Sequence, residues 1–261
     1  VTSGFHLEYL RFTQDESKVW SIAGGKFEDW PQDLSEFKML DPCCGSGHFL
    51  VATLDMLVPM RMELENLSAT EAVDLVLRDN IHGLEIDQRC VEIAAFALAL
   101  AAWKYPGTNG YRALPELNLA CSGLSINIKK EDWLKLAGKN ANLKIALGQL
   151  FNQFTNAHIL GSLIELDRKI GEKTLIDFDW ATVHTLIKTK ISEEKEYEMK
   201  INSIAAHGLL KAAQILAERY HLVSTNVPYL GRKKQNEFLQ RYSEDNYPDS
   251  KQDLATVFME R

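Results

Sequence analysis

The sequence predicts an α/β domain in which a parallel sheet is covered by helices, and three observations predict it. Short apolar runs at Phe37–Leu40, Ile81–Ile86 and Leu117–Cys121 have strand length and end beside acidic or turn residues. Apolar residues at helical spacing fill the intervals between them, and this alternation is the pattern of parallel strands joined by crossover helices. The junction between the first run and its helix is a glycine turn, Cys43-Cys44-Gly45-Ser46-Gly47.

Residues 1–37 carry scattered aromatics, Gly24-Gly25 and Trp30-Pro31, and read as an irregular or short-element lead-in. The strand Phe37–Leu40 stops at Asp41-Pro42. From His48 onward Phe49, Leu50, Ala52, Thr53, Leu57 and Met60 recur at helical spacing. A second helix is expected over Ala69–Arg78, and the next strand, Ile81–Ile86, runs into Asp87. Val91–Trp103 is apolar nearly all round, which places it against a sheet or inside a bundle. After the strand Leu117–Cys121 the regularity lapses. Residues 129–220 show helical periods at Leu143–Leu166, Trp180–Lys188 and Ile204–Arg219 without a convincing strand, and Ser192–Lys200 reads as a solvated charged face. A strand returns at His221–Thr225 and leads into Asn226-Val227-Pro228-Tyr229, and Gln252–Arg261 closes the chain as a helix. The division is therefore a lead-in (1–37), a first α/β half (38–128), a helical insertion (129–220) and a final motif-bearing segment (221–261).

The 261 residues include 36 acids against 29 Lys and Arg, for a net charge of −7, with 46% apolar and 25% charged residues. That is globular composition, neither disordered nor fibrous. The acidity excludes a wholly basic nucleic-acid binder but leaves room for a local basic face. The longest uncharged apolar stretch, Ile93–Trp103, has 11 residues; roughly 20 span a bilayer, so no membrane helix or membrane partner is expected. The opening VTSGFHLEYL has neither Met nor a signal-peptide pattern and suggests a piece of a longer protein. The four cysteines form no CxxC pair, suggest no zinc or other metal site, and fit a reducing cytoplasm.

Gly45 and Gly47 suit a nucleotide-like ligand that approaches the backbone, or simply a tight strand-to-helix turn. The third position of a dinucleotide fingerprint is Leu50, and no Lys-Ser/Thr of a phosphate loop follows. Glu85, at the end of the next strand, can accept both hydrogen bonds of a ribose diol. The bland alternative for Glu85 and Asp87 is a charged pair facing water. A nicotinamide enzyme and a methyl-donor enzyme would share this arrangement.

Asn226-Val227-Pro228-Tyr229 follows a strand, where open α/β sheets bind ligands. Methylating an exocyclic amine requires two acceptors that orient its hydrogens and free its lone pair. The Asn226 side-chain oxygen and the Val227 carbonyl can supply them. Pro228 biases Val227 toward extended backbone, and Tyr229 offers a face on which an extruded base can stack. Arg232 and Lys233, just beyond, are candidates for phosphate contacts, although a solvated basic helix start is equally consistent. Trp133 and Trp180 are read as packing, and His82, His207 and His221 as structural. Cys43 and Cys44 show no sign of being nucleophiles.

DPCCGSGHF at Asp41–Phe49, LEID at Leu84–Asp87 and NVPY at Asn226–Tyr229 resemble the motifs of class I S-adenosylmethionine-dependent amino-methyltransferases. More narrowly they resemble the adenine-specific (N6) DNA methyltransferases of restriction-modification and phage-exclusion (BREX-like) systems. The resemblance covers roughly residues 38–123 and 221–261. It implies a Rossmann-like parallel sheet of the class I methyltransferase type, seven-stranded in full, incomplete here and interrupted by the large helical insertion. It implies that Asp41, Pro42, Cys43, Gly45, Ser46, Gly47, His48 and Phe49 surround the methionine part of S-adenosylmethionine. Glu85, with Ile86 beside it, would hold the ribose, and Ser122 stands where an acid normally reads the cofactor's adenine amine. Asn226, Val227, Pro228 and Tyr229 would hold the target adenine. The implied partners are double-stranded DNA and other subunits of a defence complex or a separate specificity subunit, in the cytoplasm.

The sequence departs from that pattern at Val227, where the family has a first Pro, and at Ser122. The family's upstream F-x-T/G-P motif is not recognisable in residues 1–37. No target-recognition domain follows, and the chain stops about where a fifth strand would begin, so a longer protein that has been cut is expected. Two rival readings share these features: methylation of a protein glutamine, and a degenerate subunit that binds cofactor or DNA without turnover. Asn226, in place of Ser, favours adenine over cytosine.

Overall fold

The computed structural model describes residues 12–23, 30–124, 129–165 and 197–261, with Thr185 and Thr189 as isolated positions. In the lead-in, β1 (Phe12–Gln14) and β2 (Trp20–Ile22) form an antiparallel hairpin. Then come β3 (Met39–Asp41), α1 (His48–Glu65), α2 (Ala69–Leu75), β4 (Ile81–Glu85), α3 (Gln88–Lys104) and β5 (Asn118–Cys121). The described helices after β5 are α4 (Lys130–Lys135), α5 (Ala141–Gln153), α6 (Ala157–Leu160) and α7 (Tyr197–Ala217). The chain ends with β6 (Leu222–Val223), α8 (Glu237–Asn246) and α9 (Leu254–Glu260).

The expected parallel sheet is present. Its order is β5-β4-β3-β6 and every pairing is parallel, with Met39 opposite both Ile81 and Leu222 and Gly83 opposite Leu119. The chain therefore moves outward from β3 to β4 to β5, then returns to the other side of β3 for β6. The strand order thus reverses at β3, with β4 on one side and β6 on the other, and such a reversal opens a crevice at the carboxyl ends of the strands.

Side-chain alternation builds two cores, one on each face of the sheet. Met39, Ile81, Leu119 and Cys121 pack with Leu50, Leu54, Val58, Val73 and Leu98 of α1, α2 and α3. Leu84 and Ala120 face the other way and pack with Trp133, Leu147, Phe154, Leu209 and Ala213. The described helices of residues 129–220 thus form the second covering layer. Trp133 is fully buried and donates its indole N–H to the Leu147 carbonyl at 2.7 Å, as the packing reading expects. Trp180 and most of Trp180–Lys188 lie outside the described residues, as do residues 192–196 of the charged run; residues 197–200 open α7.

Local signals account for most boundaries. Ser68 and Glu71 form a reciprocal capping box at the start of α2, and Asp87 caps α3. The helix expected over Ala69–Arg78 loosens into a wider turn at Val76–Asn80, which delivers the chain to β4. Arg61, almost fully buried, is held there by Glu65, Asp79 and Asn80, while Asn80 donates to the carbonyls of Leu34 and Phe37. The expected helix Leu143–Leu166 is broken into α5, α6 and two tight turns, Phe154–Asn156 and Gly161–Leu163. Helix α3 buries one stripe, Val91, Ala94, Leu98 and Ala102, and leaves Ile93, Phe96 and Leu100 exposed, so its apolar circumference is half used. His221 accepts from the Lys38 amide and His82 sits edge-on to Tyr220, both structural placements.

Candidate active site

The crevice is built from the strand ends. After β3 the chain turns through Gly45 (φ 52°) and Gly47 (φ 85°), both left-handed and costly for any residue with a Cβ. At Gly47 an added Cβ would also lie 3.1 Å from the Cα of Ala94 in α3, so helix packing demands glycine there as well. The turn is tied to the neighbouring strand. Cys44 donates its amide to the Leu84 carbonyl at 2.9 Å, and the Gly45 amide donates to Glu85 Oε2 at 2.8 Å. Glu85 Oε1 accepts the amides of Ile86 (2.8 Å) and Asp87 (3.2 Å). The acid at the tip of β4 thus joins the glycine turn to its own strand end.

Asp41 is 1% exposed. Its Oδ1 accepts the Cys43 amide at 3.1 Å, and the Thr225 hydroxyl lies beside the carboxyl as a further donor. Burial raises its pKa above the ordinary carboxylate range, and the nearby Glu85 carboxylate adds to the rise. The Cys43 thiol is pushed up to about 12 by burial and by the carboxylates of Glu85 and Asp41, and Cys44 is raised by the same causes. Both therefore stay protonated at neutral pH and are poor nucleophiles. Ser46 and His48 share a 3.0 Å hydrogen bond at the helix start, and Phe49 and Ile86 stand half-exposed at the rim.

On the other side of the switch point, Asn226, Pro228 and Tyr229 emerge exposed from β6, Tyr229 at 80%, while Val227 is half-buried. A cavity of about 660 Å³ opens beside this segment, against Leu40, Leu84, Ile215 and Tyr220, and Gly45, Gly47, Glu85 and Asn226 are not part of its lining. Pro42 of the glycine turn, Thr225, Val227, Tyr229, Ser162 and Arg261 all line it. Residues from both ends of the sequence thus meet at one opening.

Three candidate residues are engaged elsewhere. Ser122 is fully buried, and its hydroxyl lies 3.2 Å from the Ser162 hydroxyl. Asp87 is drawn to its own helix: it accepts the Arg89 amide and pairs with the Arg89 guanidinium at 2.6 Å, which lowers its pKa to about 2. Arg232 is ion-paired with Glu244 at 2.9 Å, whereas Lys233 and Lys234 are exposed beside Gln252 in a shallow recess.

Two features escaped the sequence reading. Gly161 packs against the Ile86 side chain and Ser162 donates to the Pro42 carbonyl at 2.6 Å, from a stretch that looked like continuous helix. The positive φ of Gly161 (51°) marks the break, and a glycine inside an apolar helical period was the available signal. Helix α8 was also missed, although Asn236 caps it by accepting the Leu239 amide.

A parallel sheet with a glycine turn after one strand, an acid ending the next, and an Asn-x-Pro-Tyr segment across the switch point defines a Rossmann-like methyltransferase domain. The chain belongs to the family of the MmeI DNA-methyltransferase domain, which matches residues 17–257. It is 30% identical over 243 residues to the adenine-specific methyltransferase BrxX of Escherichia coli O9:H4 (strain HS), covering 85% of this chain and 20% of that protein. It is 28% identical over 234 residues to the adenine-specific methyltransferase PglX of Lacticaseibacillus casei (strain Zhang), covering 87% of this chain and 18% of that protein. A shorter match, 39% over 83 residues, links it to PglX of Streptomyces coelicolor, covering 31% of this chain and 6% of that protein. The chain thus spans about a fifth of the length of the first two relatives. Membership of the family implies a methyl donor. Among the described residues no helix is long and apolar enough to cross a membrane.

Proposed function

We propose that this domain transfers a methyl group from S-adenosylmethionine to the N6 amine of adenine in double-stranded DNA. The observation that carries the reading is the parallel pairing of β3 with β4 and β6, which brings the glycine turn, Glu85 and the Asn226–Tyr229 segment to the same carboxyl edge of one sheet. The names of the relatives, adenine-specific methyltransferases, support the choice of base. On this reading the protein serves a restriction-modification or phage-exclusion system in the cytoplasm, with further subunits as partners. Residues 38–128 and 221–261 would form the donor and acceptor halves, and 129–220 the helical insertion.

The residues present fit the donor. The buried Asp41 carboxyl, supported by the Cys43 amide and the Thr225 hydroxyl, suits a cationic group, which the methionine end of the cofactor would bring. Glu85 Oε2 accepts one amide and retains capacity for a ribose hydroxyl. Bound there, the cofactor supplies an electrophilic methyl carried on sulfonium. Asn226 and the Val227 carbonyl accept the two amine hydrogens, so the nitrogen lone pair turns toward that carbon. The cofactor would give up that methyl to the nitrogen with its sulfur left neutral, and the exposed position of Asn226 would let the surplus amine proton leave to solvent. Tyr229 would stack on the base and the exposed Lys233 would contact a phosphate, whereas Arg232 would have to leave Glu244 to help.

Calorimetric titration of S-adenosylmethionine tests the donor half. Micromolar-range binding, on the order of −8 kcal/mol, is expected, and Glu85→Ala should weaken it at least tenfold. Equal affinity in the two proteins would remove Glu85 from the site. Transfer of labelled methyl to adenine in duplex DNA tests the rest, and its absence in a protein that binds the donor would favour the degenerate reading.

The pH dependence follows from Asp41. Its ionised form is the one that holds a cation, so donor affinity should fall as acid is added, beginning above the ordinary value of 3.8. Stability should run the other way. A raised folded pKa means that the native state binds this proton more tightly than the unfolded chain does. Stability from Asp41 is therefore full below the ordinary value and lost as pH rises through the raised one. Asp41→Asn should flatten both profiles, as titrations and denaturant melts at several pH values would show.

A further inference from the structure

The segment 161–165 contacts the residues that follow β3, β4 and β5 and the helices that follow Asn226–Tyr229. Ser162, 6% exposed, donates its only hydroxyl hydrogen to the Pro42 carbonyl at the end of β3. The Ser122 hydroxyl, 3.2 Å away at the end of β5, must then be the donor to Ser162, so the two form a buried relay ending on the cofactor turn. Gly161 rests on Ile86 at the end of β4. The same segment also grips the C-terminal elements that follow the Asn226–Tyr229 motif. The Tyr242 hydroxyl of α8 donates to the Leu163 carbonyl at 2.7 Å, Arg261 donates to the Ile164 carbonyl at 3.2 Å, and the Tyr247 hydroxyl donates to Glu165 at 2.7 Å.

We propose that segment 161–165 is a clamp that sets the spacing between the donor turn and the amine-holding segment, with Ser162 and Tyr242 as its positioning residues. Ser122 then acts through Ser162 on the Pro42 carbonyl and makes no contact with the cofactor. The proposal rests on the methyl-transfer reading for its purpose but on these hydrogen bonds for its existence. Transfer needs the reacting atoms in near-attack geometry, and a misplacement of about 1 Å costs about 10²-fold in rate. A clamp that holds both halves therefore affects turnover more than affinity.

The test uses Ser162→Ala, Tyr242→Phe and the double variant. Tyr242 lies on α8, remote from the glycine turn, yet its loss should lower the hydrogen-exchange protection of residues 43–48 by about three- to tenfold, the range of one hydrogen bond. Ser162→Ala should in turn loosen the amides of residues 237–246. Methyl transfer at saturating DNA and donor should drop about tenfold in each single variant, with donor affinity changed less than threefold. The double variant should be no slower than the weaker single, because both cut one connection. Protection of 43–48 unchanged within twofold by Tyr242→Phe overturns the clamp, and so do rate losses that multiply in full or follow donor affinity. If the unaltered protein transfers no methyl group, the functional reading fails while the exchange data still decide the clamp.

Discussion

Asn226→Ala should lower methyl transfer by about 10²–10³-fold or more, the scale seen when a preorganised polar group aimed at the reacting centre is removed. Donor affinity should remain within about twofold. The reason is placement. Asn226 emerges exposed after β6, and no contact joins it to Gly45, Gly47 or Glu85 of the proposed donor side among the hydrogen bonds of the described residues. Its amide oxygen is one of two acceptors that would orient the target amine, and the Val227 carbonyl alone cannot hold both hydrogens. Single-turnover transfer to duplex DNA, paired with calorimetry on the same sample, separates the two quantities. A variant that keeps its rate within fivefold, or loses donor affinity in parallel, would remove Asn226 from the acceptor role.

Gly123→Ala is expected to damage both stability and donor binding. An added Cβ would lie 2.1 Å from the Ile86 carbonyl oxygen and 2.9 Å from its carbonyl carbon, so the collision is with backbone and no rotamer relieves it. The end of β5 must then move off the end of β4, straining the 2.8 Å bond from the Ser122 amide to the Glu85 carbonyl. Overpacking of this kind costs about 1–3 kcal/mol. Because the strand ends are the walls of the crevice, donor affinity should fall by more than tenfold in protein that remains folded. Denaturant unfolding followed by calorimetry measures both, and a variant that matches the parent in each would show that the strand ends are not rigid.

Much of this arrangement was legible because its causes are local. The strand–turn–helix at Met39–His48 announces itself through glycines that the backbone requires and an apolar helical period directly after them. Glu85 was legible for the same reason, as an acid ending a short apolar run. What stayed hidden depends on contacts between distant residues. Nothing near Ser162 in the sequence points to Pro42, 120 positions earlier, and nothing near Ser122 says that its hydroxyl turns toward Ser162. Arg232 looked free until the fold brought Glu244 to it. Helix α8 was missed because it is short and largely polar, and its cap Asn236 resembles an ordinary loop residue. The choice of methyl donor and of adenine came from the resemblance; the chemistry of an amine-holding Asn-x-Pro-Tyr alone leaves several amines open.

The pairing of β6 with β3 also bears on how such a protein changes over evolutionary time. The contact between Lys38 and His221 closes a span of 183 residues. Closing a flexible loop costs entropy that grows only with the logarithm of its length, about 0.6 kcal/mol for each doubling. Once the two strands are aligned, chain added or removed between β5 and β6 therefore changes the energy of closure very little and leaves Asn226 opposite the same glycine turn. The two strands can keep their pairing while loops of the intervening stretch are lengthened or shortened, provided that the helices packed on Leu84 and Ala120 and the segment 161–165 are retained.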